Sequence, residues 1–163
     1  MNSNINLISV LRNHPQAAAI LKGSTAYPNI SGNVRFYRVG KGVLVVAQVI
    51  GLPTSTDKCN SPVFGFHIHS GARCTGNTED PFADALIHYN PNSCPHPYHA
   101  GDMPPIFGAG GKAFSAFLTD RFTLDEIIGK TVIVHSAPDD FTTQPGGNAG
   151  EKIACGEIDA LRF

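Results

Sequence analysis

Residues 17–52 read AAAILKGSTAYPNISGNVRFYRVGKGVLVVAQVIGL. Three runs within this stretch, AAAILKG (17–23), NVRFYRV (33–39) and GVLVVAQVIGL (42–52), are short and largely aliphatic, and each is stopped by Gly, Pro or Asn. Apolar runs of that length between turn residues read as strands. Gly40-Lys41-Gly42 reads as the hairpin turn joining the second run to the third. The same punctuation continues through VFGFHIH (63–69), KAFSAFL (112–118), KTVIVH (130–135) and a last strand near IACGEI (153–158). About seven or eight strands result, with no helical segment of about ten to fifteen residues between them, which excludes a parallel α/β sheet and predicts an all-β sandwich or barrel. Leu124 to Ile128 is the one place inside this pattern where a helical turn is predicted.

Two segments carry no strand pattern, Ser70 to Gly111 and Ser136 to Glu151. Structureless loops longer than about 12 to 15 residues usually carry function. The first 16 residues stand apart as an extension, in which Asn4 to Arg12 predicts a short helix with Ile5, Ile8 and Leu11, or Leu7 and Leu11, on one side, ended by Pro15. The expected organisation is therefore an extension at 1–16 and one domain at 17–163. A chain of 163 residues with 42% hydrophobic content suits a single core.

Twelve Lys and Arg against thirteen Asp and Glu leave a net charge of −1, and the basic residues are scattered. No nucleic-acid partner is expected from that balance. No run approaches the roughly 18 apolar residues of a membrane span, so no membrane association is expected. Met1 to Pro15 lacks a cationic start followed by an apolar core, which leaves a cytoplasmic location for the chain as written and a periplasmic or extracellular one if a leader has been removed. Cys59, Cys74, Cys94 and Cys155 form no C-x-x-C pair, which argues against a thioredoxin-like motif or a cysteine-only zinc knuckle.

The chemistry lies in the histidines. Of seven, all but His14 fall between positions 67 and 135. In Phe66-His67-Ile68-His69 the two imidazoles are two residues apart on a strand, so they share one face while Phe66 and Ile68 take the other. Alone, that pair would suit a solvent-facing strand equally well. His88-Tyr89-Asn90-Pro91 then opens a run that ends in His96-Pro97-Tyr98-His99-Ala100-Gly101-Asp102. Three imidazoles and a carboxylate in a loop poor in core residues suit zinc, whose binding orders a loop that could not order itself. His135 closes the apolar run Thr131 to Val134, where an unpaired imidazole is costly.

The segments GFHIHSGARC, HYNP, HAGDMPP, VIVHSAPDD and GNAGEKIACGEI, in that order, resemble the metal and disulfide motifs of copper/zinc superoxide dismutases, the bacterial ones in particular. The likeness covers about Ala17 to Phe163. It implies a Greek-key β-sandwich or barrel of about eight antiparallel strands with two long functional loops, cycling copper between oxidation states on superoxide while zinc shapes the site. It implies His67, His69, His88 and His135 as copper ligands and His88, His96, His99 and Asp102 as zinc ligands, with His88 bridging the metals and carrying a catalytic proton. It implies Asp139 as a carboxylate bonded to His67 and His96, and a disulfide between Cys74 and Cys155. Cys59 and Cys94 have no counterpart in the pattern, and free thiols or a second bridge both stay open for them.

The chain departs from the family at three points. Lys152 stands where an arginine usually guides the anion, which keeps the charge and loses the planar fork of guanidinium, and Glu151 beside it is expected to offset the field. His96 and His99 are only three apart, without the family's usual insertion. Ser136 to Gly150 is also short, which predicts a more open copper and weaker steering. The runner-up function is a non-catalytic copper or zinc carrier or a structural metal-binding protein; the presence of all four copper histidines favours the enzyme. Monomer and homodimer are both compatible with the sequence.

Overall fold

A computed structural model describes residues 7–57, 59 and 62–162. The strand runs anticipated from the sequence form β1 (Ala17–Gly23), β2 (Ser31–Val39), β3 (Gly42–Ile50), β4 (Val63–Phe64) and β5 (Phe66–His69), then, after the unanticipated β6 (Ile106–Phe107), β7 (Lys112–Thr119), β8 (Thr131–His135) and β9 (Lys152–Ala160). Seven of them make one antiparallel sheet in the order β5-β8-β9-β1-β2-β3-β7, while β4 and β6 pair separately. The link from β3 leads to β5 at the far edge of the order, and the link from the edge strand β7 leads to β8, next to the opposite edge, which are the crossovers expected of a Greek-key barrel.

Alternation along the strands decides what is core. Ala17, Ala19 and Leu21 of β1, Val34 and Phe36 of β2, and Val43, Val45, Ala47 and Val49 of β3 join Phe66, Ile68, Val132, Val134 and Ile158 in one buried cluster. Both edge strands contribute to this cluster through Ile68 and Ala113, so the sheet is rolled around a shared interior. At about 25 cal/mol per Å² of apolar surface removed from water, this cluster is the main source of stability. The helical turn expected near Leu124 is α2 (Leu124–Ile127), with Thr123 and Glu126 forming a capping box at its start.

Two expectations need adjustment. The helix in the extension is α1 (Leu7–Arg12), the part of the predicted span before Leu7 lying outside the described residues. It does not pack through Ile8 or Leu11, which are exposed; Val10 is its described contact, resting on Tyr37, Val39, Leu44 and Val46 of the outer face of β2 and β3. The segment Ser70 to Gly111 is not structureless either, since it holds a 3₁₀ turn at Ala83–Ala85 and the strand β6. No helix among the described residues is long and apolar enough to cross a membrane.

Candidate metal centre

Because Phe66 and Ile68 point into the barrel, His67 and His69 point to its outer face. β8 lies beside β5 with His67 opposite Ile133, and because Val132 and Val134 face the core, alternation puts His135 on the same outer side as Ile133. The two loops close over this face. Isolated bridges join His69 to His88 and His67 to Asp102, so the first loop is hydrogen-bonded along β5. All six histidines, Asp102 and Asp139 are buried as a result.

Two ligand sets emerge, sharing one member. Donor atoms of His67, His69, His88 and His135 lie within 4.8 Å of one another, and so do those of His88, His96, His99 and Asp102. His88 Nδ1 is 2.8 Å from Asp102 Oδ1, which assigns that nitrogen to the second set. The ring of His67 stacks 4.0 Å from that of His88. His14 lies outside both sets.

Hydrogen bonds to pure acceptors fix which ring nitrogen of each imidazole carries the proton. His67 Nε2 donates to Asp139 Oδ2 at 2.7 Å and His96 Nε2 to Asp139 Oδ1 at 2.9 Å. His69 Nδ1 donates to the Leu86 carbonyl at 2.9 Å and His135 Nδ1 to the Gly150 carbonyl at 3.2 Å. The opposite nitrogens are therefore bare lone pairs in the neutral rings. His69 Nε2 and His135 Nε2 face each other at 3.2 Å, an arrangement of two acceptors that a cation between them resolves. His67, His96 and His99 each keep a buried Nδ1 without a hydrogen-bond partner, although His96 Nδ1 comes within 3.1 Å of Asp102 Oδ2 in an unsuitable direction. Orphaned buried nitrogens converging beside a carboxylate, each ring held from behind by a carbonyl or carboxylate, fit bound metal ions of imidazole preference such as copper and zinc.

Electrostatics agree. Burial holds His69 well below the ordinary imidazole range and lowers His135 to about 3, while burial also lowers His67 against the opposing pull of Asp139. Burial alone would raise the Asp139 carboxyl, but hydrogen bonds from His67, the Phe141 N–H and His96 outweigh it and keep the group below the usual carboxylate range. Neutral rings and ionised carboxylates are the forms that bind metal.

The disulfide implied by the resemblance is present: Cys74 and Cys155 are bonded, closing 81 positions of chain and fixing the first loop to β9. Cys59 is an exposed free thiol and Cys94 a half-buried one. The short second loop lies against part of the first set: a Cβ added at Gly146 would stand 3.3 Å from His88 Nε2, and the Gly150 carbonyl accepts from His135 Nδ1.

Lys152 lines a cleft of about 740 Å³ together with His69, His88 and His135. Its Nζ donates to Asp80 Oδ2 at 2.6 Å and to the Phe82 carbonyl at 3.0 Å. Glu151, expected to offset that charge, instead accepts a hydrogen bond from Tyr27 at 3.0 Å. Sequence reasoning missed three contributors. Asp80 sits 72 positions from its lysine. Arg121 uses Nη1 to reach the carbonyls of Pro97, His99 and Asp102 at 2.8, 3.4 and 3.4 Å, clamping the second ligand set from outside. Gly147, at φ +68, has no room for a side chain because Asp139 and His96 lie against it. Only Gly147 carried a signal, in the Gly-Gly step of the loop that also carries Asp139.

Comparison with known proteins agrees with this geometry. The family model of copper/zinc superoxide dismutase matches residues 30–158. The chain is 31% identical over 144 residues to superoxide dismutase [Cu-Zn] 2 of Aquifex aeolicus, covering 79% of each chain. It is 33% identical over 139 residues to superoxide dismutase [Cu-Zn] of Legionella pneumophila, covering 80% of this chain and 79% of that one. The rolled antiparallel sheet, the two imidazole sets joined at His88 and the bonded Cys74–Cys155 pair accompany a sequence match that spans most of the domain, and the chain belongs to the copper/zinc superoxide dismutase family.

Proposed function

We propose that this chain dismutes superoxide to oxygen and hydrogen peroxide at a copper site formed by His67, His69, His88 and His135, beside a zinc site formed by His88, His96, His99 and Asp102. The observation that carries the reading is the sharing of His88 between two sets whose donor atoms each gather within 4.8 Å. Copper supplies the one-electron redox chemistry when bound, and zinc a fixed charge that orders the loop.

The protein's own residues supply the remainder. Carbonyls of Leu86 and Gly150 and the Asp139 carboxylate hold His69, His135 and His67 with one nitrogen each turned inward. His88, with Nδ1 turned to Asp102, has Nε2 left for the first set, and that nitrogen is the place where a proton is taken up and handed to the product. Lys152 gives the anion a cation at the mouth of the cleft. Asp139 acts through the ligands it holds, and Arg121 through the loop it clamps. The metal-binding domain is read as 17–163, with residues 1–16 an appendage whose described helix rests on the outer face of β2 and β3.

The test is loading of the metal-free chain with copper and zinc, followed by metal analysis and a superoxide-disappearance assay. One copper and one zinc per chain, with turnover proportional to copper, is the expected result. Full loading without copper-dependent turnover would overturn the reading.

A further inference from the structure

Among the described residues that line the cleft, Lys152 is the only Lys or Arg. Its ammonium has three N–H donors. One goes to Asp80 Oδ2 at 2.6 Å and one to the Phe82 carbonyl at 3.0 Å, which leaves one for an anion.

The carboxylate is set in place by its own turn. Asn77 Oδ1 accepts from the N–H groups of Glu79 and Asp80, each at 2.9 Å, and the Asn77 N–H donates to the Asp80 carbonyl at 3.0 Å. Asp80 Oδ1 then accepts from the Phe82 N–H at 3.0 Å, so Oδ2 is the oxygen free for lysine. The turn follows Cys74, and Lys152 precedes Cys155 on β9; the disulfide therefore joins the two segments that carry the ion pair. The lysine side chain is 14% exposed and the aspartate 40%, so the contact is only partly screened by water.

We propose that Asp80 is a positioning residue for anion capture, fixing the Lys152 ammonium at the cleft while cancelling most of its long-range field. A distant anion meets a close pair of opposite charges in place of a single cation, and the attraction of such a pair falls off faster with distance. Capture then depends on contact with the remaining N–H more than on steering from afar. The inference rests on the dismutase reading for its substrate, though not for its test.

The test compares wild type with Asp80→Asn, which keeps an acceptor for the Phe82 N–H and removes the charge. Azide titration of the copper- and zinc-loaded proteins, followed by visible absorption, reads anion affinity directly. Asp80→Asn is expected to bind azide about three- to tenfold more tightly at low salt and to lose that gain as salt is raised. Its dismutation rate is expected to fall more steeply with ionic strength than that of wild type. In a Lys152→Met background the substitution still removes a negative charge beside the cleft and is expected to tighten azide binding there too, but each Lys152→Met protein, lacking the remaining N–H, is expected to bind azide more weakly than its Lys152 counterpart. Asp80→Ser, which also retains a hydroxyl acceptor for the turn, guards against a folding defect peculiar to the amide.

Azide affinity and salt dependence unchanged in both variants would overturn the proposal and leave Asp80 a residue that shapes its loop. Because azide affinity is read without turnover, absence of dismutation in wild type would sink the functional reading while the titration still decides the role of Asp80.

Discussion

Asp139 accepts a hydrogen bond from His67 Nε2 at 2.7 Å, and both side chains are buried. Its other oxygen accepts from His96 Nε2 at 2.9 Å, so one carboxylate orients a ligand of each metal set. Replacing it by Asn removes the charge and turns an NH2 group toward one of two N–H donors. Asp139→Asn is expected to weaken copper and zinc binding together, by about 10- to 100-fold each, measured by competition with chelators. Loss confined to one metal would contradict the coupling.

Gly147 protects that same link. At φ +68, an added Cβ would lie 2.0 Å from Asp139 Oδ1 and 2.7 Å from His96 Nε2. Gly147→Ala is expected to displace the carboxylate and lower zinc affinity by at least about tenfold, whereas Gly110→Ala, at φ +58 with open space around it, is expected to strain only its turn. Zinc titration of both variants checks the contrast.

The Cys74–Cys155 bond closes a loop of 81 positions that contains most of the metal ligands. Cys155→Ser is expected to destabilise the metal-free chain by about 2–5 kcal/mol, measured by urea unfolding. Metal affinity is expected to fall as well, because the first loop loses its attachment to β9.

Acid is expected to destabilise the metal-free chain through its buried imidazoles. His67, His69 and His135 all have folded-state values depressed by burial, His135 from 6.5 to about 3. A depressed imidazole binds fewer protons folded than unfolded, so its contribution is complete above about pH 6.5 and is lost as pH falls toward the folded value. His135, whose window spans about pH 6.5 to 3, contributes a slope of about 1.4 kcal/mol per pH unit inside it. Melting temperatures of the metal-free protein between pH 7 and pH 4 check this, and a flat profile would contradict it.

The strands and the shared face of His67 and His69 were legible because their signals are local. The alternation Phe66-His67-Ile68-His69 assigns core and site faces by a period of two, and the structure keeps that assignment. The disulfide and the Asp139 bridge came from motif resemblance, since pairing across 81 positions leaves no periodic trace. What stayed hidden depends on tertiary approach. Val10 matters on α1 because an apolar patch on β2 and β3 awaits it, which nothing in the helix itself reveals. Asp80 meets Lys152, and Arg121 meets the carbonyls of the ligand loop, only after the barrel closes. The strand β6, only two residues long, is too short to announce itself by alternation.

The most direct test of the central claim is the superoxide dismutation rate of the chain loaded with copper and zinc, set against His135→Ala, which removes a nitrogen from the copper set alone. Copper-dependent turnover is expected in the wild type, with zinc retained and turnover lost in the variant; equal turnover in the two proteins, or none in a fully loaded wild type, would overturn the dismutase reading.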